Sequence, residues 1–217
     1  MLSKQKTLAA RRALKARLRL GYSLDSPCDI YELISRSGLN LRFTETSSLA
    51  GMFLNDGVLG EIVVSALRPA GYQHFTAAHE LAHYEFGHGA KLDGEIEEMV
   101  SDSAEEALAD AFARHLLMPQ RAVVKGLSNL KTTAANASPV QIYSLASWLG
   151  VGYTTLVNQM RWTLGMISSP RHHELSVKQP QQIKRSLVPA VAWGGGRNFG
   201  HFSHGGTERE FTCRPAM

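Results

Sequence analysis

His79-Glu80-Leu81-Ala82-His83, inside TAAHELAHYEFGH, is the stretch whose residue types and spacing can do chemistry. On a helix, residues four apart share a face, so His79 and His83 can hold one metal ion between them. Glu80 then stands beside the ion, where its carboxylate can take a proton from a water. A catalytic zinc site needs a third protein ligand and one open position, so the rest of the chain must supply a donor.

A second segment, AEEALADAFARHLLMP, offers one. Leu108, Ala111, Phe112, His115 and Leu116 recur at helical spacing and predict a core-facing stripe. Glu106 and Asp110, four apart, share another face. Two carboxylates on one face of a partly buried helix are costly unless a cation compensates them. A zinc ion with its histidines would do so, with Glu106 as the third ligand. Asp110 would then accept the Nδ1–H of a ligand histidine and fix its tautomer.

Other donors fit less well. A metzincin places a third histidine six residues after the second, with a glycine at three. Here His88 lies five after His83 and Gly87 four after it, so that spacing is not met. Glu95, Glu97 and Glu98 fall in an expected acidic loop. Cys28 lacks the strand context of a deformylase-like ligand. Peptide hydrolysis would also need a donor to the developing oxyanion. Tyr72, His74, Tyr84, His115 and Tyr153 are the candidates, and nothing in the sequence chooses among them.

The elements that must position these groups follow from periodicity and punctuation. Residues 2–20 read as a basic helix ended by Gly21. Asp25-Ser26-Pro27 looks like a helix start, with a short helix over Asp29 to Ser37. Leu39, Leu41 and Phe43 alternate as a strand does. Met52-Phe53-Leu54 and Val58 to Ser65 read as a hairpin through Asp56-Gly57. Arg68 to Gly71 reads as a loop, and the motif helix as Phe75 to His88. The second helix spans about Asp102 to Met118, and further helices are expected from near Gln120, over Pro139 to Leu149 and over Thr154 to Leu164. From Ser169 the pattern fails. The expected organisation is a basic N-terminal helix (1–24), a metallopeptidase-like domain (25–168) and a Gly/His-rich tail or small appendage (169–217).

Charge is uneven along the 217 residues, although the net value is only +4. The first twenty residues hold seven basic side chains and no acidic one, and the stretch from Asp93 to Asp110 is strongly acidic. A basic segment can touch nucleic acid, but a solvated helix face explains it as well, and a nucleic-acid partner is not favoured. No apolar run is long enough to span a membrane, and no secretory leader is expected. The two cysteines, Cys28 and Cys213, stand in no metal or redox spacing and read as free thiols in a reducing cytoplasm.

FTAAHELAHYEFGH, followed by EEALADAFARHLLMP, resembles the ImmA/IrrE family of HExxH metallopeptidases, and LAGMFLNDGVLGEIVVS resembles the hairpin before its motif helix. The resemblance runs from about Asp25 to Arg161. It implies an α+β, mainly helical zincin-like core of the gluzincin type, with a small β-sheet packed on the HExxH helix. It implies Zn²⁺ on His79, His83 and Glu106, with Glu80 as catalytic base; Asp110 stands where the family often has Asn or Asp. Members act on helix-turn-helix repressors, so the implied partner is a separate repressor cut at limited sites in a stress-response or mobile-element switch. The alternative is a regulator with little proteolysis that binds a repressor or DNA through the same scaffold. Residues 139–165 carry a helix-turn-helix-like cadence, for which a core-completing helix pair is the favoured reading.

Overall fold

The structure, a computed structural model, describes residues 2–55, 60–88 and 103–187. Among these, α1 (Leu2–Arg19) and α2 (Ile30–Arg36) precede a sheet of β1 (Asn40–Thr44), β2 (Gly51–Asn55) and β3 (Gly60–Ser65). Two long helices follow, α3 (Ala70–Phe86) and α4 (Ser103–Leu117). Then come α5 (Gln120–Asn129), α6 (Pro139–Trp148), α7 (Tyr153–Asn158) with a π-helical turn over Gln159–Thr163, α8 (Ser169–Ser176) and α9 (Pro180–Leu187). The α+β class expected from the sequence holds: the described chain is mainly helical, with one small mixed sheet.

The sheet order is β1-β3-β2, with β1 parallel and β2 antiparallel to β3. Ile62, Val63 and Val64 of the central strand are buried, and β2 and β3 pack on α3. The β2–β3 pairing is the expected hairpin; its Asp56-Gly57 turn lies outside the described residues. Gly51 lets the sheet come close. A Cβ there would stand 2.3 Å from Thr76 Cγ2 and 3.2 Å from Glu80 Oε1.

Helix starts depart from expectation in two places. Asp29, not Asp25, caps α2, its side chain accepting from the N–H groups of Tyr31 and Glu32. Asp25 instead pairs with the Ser23 hydroxyl. The helix α3 begins at Ala70, within the stretch read as a loop, because Pro69 opens it and Gly71 packs on a neighbour. A Cβ on Gly71 would meet the backbone of Val151 and Gly152 at 2.7 Å. His74 also holds the Gly150 carbonyl at 2.8 Å. The turn between α6 and α7 thus braces the start of the motif helix.

The basic N-terminal helix is not merely a solvated face. Ala9, Ala13 and Ala16 are buried, and α1 packs along α4. Arg17 is fully buried: it donates to the Leu116 carbonyl at 2.6 Å, at the end of α4, and to the Ser23 and Ser26 carbonyls. Arg12 and Arg19 pair with Glu85, a buried carboxylate near the end of α3.

Residues 169–187, expected to open an irregular tail, form α8 and α9, with Leu175 and Ile183 buried. The Tyr153 hydroxyl donates to the Leu175 carbonyl at 3.0 Å, and His172 Nε2 meets Asn158 Oδ1 at 2.9 Å. So α8 lies against α7, the helix that a helix-turn-helix would present to DNA. The expectations for the acidic linker and for Val188 onward lie outside the described residues.

Candidate metal centre

The motif helix is buried on most sides. Ala77, Ala78, Leu81 and Ala82 have no exposed surface, and the small alanines let the sheet and α4 approach. His79 and His83, one turn apart, face α4. Glu106 and Asp110, one turn apart on α4, face them. His79 Nδ1 lies 3.0 Å from Asp110 Oδ1 and its Nε2 lies 3.0 Å from Glu106 Oε2. His83 Nε2 is 3.4 Å from Glu106 Oε1 and 3.2 Å from His79 Nε2.

A carboxylate only accepts, so if His79 Nε2 is to serve as a metal ligand the ring proton must lie on Nδ1, toward Asp110. In that state His79 Nε2, His83 Nε2 and the Glu106 carboxylate would turn acceptors toward one another, the ligand atoms all within 4.8 Å. Such a convergence of acceptors needs a cation or added protons between them. Glu106 pairs with no lysine or arginine among the described residues. Two imidazoles and a carboxylate are a donor set suited to zinc, so these residues fit a metal ion.

The electrostatics agree. Burial works to lower the His79 pKa, but the Asp110 hydrogen bond and the Glu80, Asp110 and Glu106 charges outweigh it and leave it raised. His83 is lowered, by burial and then by the neighbouring His79. The hydrogen bond from His79 holds Asp110 below the usual carboxylate range. Glu80 is turned toward the sheet, where the Phe53 backbone N–H donates to it. Burial, with the Glu106 charge adding to it, pushes Glu80 up to about 7, a value suited to moving protons near neutrality.

The structure thus brings His79, His83, Glu80, Glu106 and Asp110 together. It does not bring in most of the oxyanion candidates. Tyr72 is exposed beneath Arg68, His74 is held by Gly150, and Tyr153 by Leu175. His115 lines a cavity with Leu14, Arg17 and Leu164. Tyr84 follows His83, and its ring meets Phe53 edge-on at 5.8 Å. No hydrogen bond joins any of the five to the cluster among the described residues. Glu95, Glu97 and Glu98 lie outside those residues. One group was discounted by spacing: His88 Nδ1 lies 3.3 Å from His83 Nδ1. Spacing along an unbroken helix misses it, because Gly87 turns the chain back at the helix end.

Residues 36–161, more than half of the 217-residue chain, match the peptidase family described as the IrrE N-terminal-like domain. No curated protein matches. Among solved structures, the chain is similar to a Mycobacterium tuberculosis transcriptional regulator, at 19% identity and a TM-score of 0.47. That likeness covers 72% of this chain and 46% of the other, so this chain spans less than half of that protein's length.

Proposed function

The chain belongs to the IrrE N-terminal-like peptidase family, and from that premise we propose that it is a zinc-dependent endopeptidase that makes limited cuts in a separate helix-turn-helix repressor. The observation that carries this reading is the convergence of His79 Nε2, His83 Nε2 and Glu106 from two helices, with Glu80 near enough for its charge to act on His79 and Glu106. His79, His83 and Glu106 would hold the ion. A bound zinc supplies Lewis acidity toward a water and a scissile carbonyl. Glu80 takes the proton of that water and passes it to the leaving amine. Its carboxyl, buried next to His79, would carry the proton in both directions of that transfer. Asp110 keeps His79 in the tautomer that leaves Nε2 free.

The repressor is the substrate implied by family kinship, and a stress-response or mobile-element switch is its setting. No described helix is long and apolar enough to cross a membrane, which is compatible with a cytoplasmic place for this reading. The packing of α8 against α7 favours a structural role for the α6–α7 pair over DNA contact.

The test uses the purified full chain and helix-turn-helix repressors from the same organism, beginning with any encoded beside its gene. Wild-type protein should bind one zinc ion and yield discrete repressor fragments, and a chelator should stop the reaction. Glu80→Gln should keep the zinc and cut about 10²- to 10⁴-fold more slowly. Equal cutting by Glu80→Gln, or a wild-type protein that takes up no zinc, would overturn the reading. Unchanged repressor control in cells carrying Glu80→Gln would favour the regulator that works without proteolysis.

A further inference from the structure

The motif helix ends on Gly87, at φ +70°. Side chains with a Cβ rarely adopt that left-handed backbone, which costs glycine nothing. The reversal lets the His88 N–H donate to the His83 carbonyl at 2.8 Å. It also folds His88 back beside His83, five residues earlier, whereas a continued helix would turn the two rings well apart. His88 Nδ1 then lies 3.3 Å from His83 Nδ1, with the ring planes 65° apart. The His88 side chain is 13% exposed and stacks on Phe86, so packing fixes its place. The Glu105 carboxylate is 4.0 Å from the same nitrogen, beyond hydrogen-bond reach.

Two imidazole nitrogens at this distance share one proton, so one donates and the other accepts. His83 Nε2 faces Glu106 and His79. To ligate a metal it must carry a lone pair, which puts the His83 proton on Nδ1. Resting on the zinc-site reading above, we propose that His88 is the positioning residue of His83. Its Nδ1 accepts the His83 Nδ1–H and fixes the tautomer and ring plane. The two ligand histidines are therefore held differently. His79 leans on the anionic Asp110, and His83 leans on a neutral ring that brings no further negative charge to a centre already lined by Glu80, Glu106 and Asp110.

The test compares wild type, His88→Leu and His88→Asn. Asparagine returns an acceptor oxygen near the place of Nδ1, and leucine returns only bulk. Zinc affinity is read by competition with a chromophoric chelator, and the histidine Nδ1–H signals by proton NMR of the zinc-loaded protein. His88→Leu should weaken zinc binding about tenfold and lose the slowly exchanging His83 Nδ1–H signal. His88→Asn should recover most of both. Affinity in His88→Leu equal to wild type overturns the proposal while leaving the zinc site standing, and equal weakening in both variants reduces His88 to packing. A wild-type protein that binds no zinc overturns the site reading, and this proposal with it.

Discussion

His115 lies nine positions after Glu106 on α4, half a turn around the helix from the metal-facing side. It lines a cavity beside Arg17, and burial pushes its imidazole below the usual histidine range. The folded state therefore favours the neutral ring, while the unfolded chain takes up its proton as pH falls past about 6.5. The His115 contribution to stability is complete above that pH and is lost as pH falls toward the lowered folded value. His115→Gln cannot titrate, so between about pH 7.5 and pH 5 it should lose less stability than wild type. Urea denaturation at the two pH values measures this, and equal losses would clear His115 of any part in acid sensitivity. At this scale much of the site is legible in sequence. The four-residue spacings of His79 with His83 and of Glu106 with Asp110 put each pair on one face. His88 was not legible, because spacing rules assume an unbroken helix and Gly87 reverses the chain between them.

Among elements, α3 depends on neighbours at both ends. Its start is braced by the α6–α7 turn, through Gly71 and the bond between His74 and Gly150. In Gly71→Ala the new methyl meets backbone atoms of Val151 and Gly152, which cannot swing aside as a side-chain end would. The cost should be about 1–3 kcal/mol, read as a lower urea midpoint; an unchanged midpoint would mean that the brace is slack. The strands and long helices are legible because apolar periodicity and punctuation agree there. The helices α8 and α9 are not, since among the described side chains each shows a single buried apolar one, Leu175 or Ile183, and one residue makes no period. The expected continuous helix over 154–164 also misses the π-helical turn at Gln159–Thr163. There the Gln159 amide is drawn inward to the Arg114 and Met118 carbonyls at the end of α4.

For the whole molecule, the largest departure from the sequence reading is α1. Charge dominates its composition, and alanine is too weakly apolar to announce a buried stripe, yet Ala9, Ala13 and Ala16 are all covered. Arg17 is the clearest case of a basic side chain working inward: it donates to the carbonyls of Leu116, Ser23 and Ser26. Arg17→Met keeps the bulk and removes the donors, and it should cost about 3 kcal/mol or more. Equilibrium denaturation checks this, and a loss below about 1 kcal/mol would show that α1 is held by its alanine stripe alone. The same helix reaches α4 through Arg17 and α3 through Arg12 and Arg19 on Glu85. In mechanical terms α1 is a strut across a two-jaw clamp. One jaw carries the histidines and the other carries Glu106, so the strut sets the gauge before any ion arrives. Ion and strut then become redundant fasteners: removing either shifts load onto the other, and removing both should cost more than the two separate losses together.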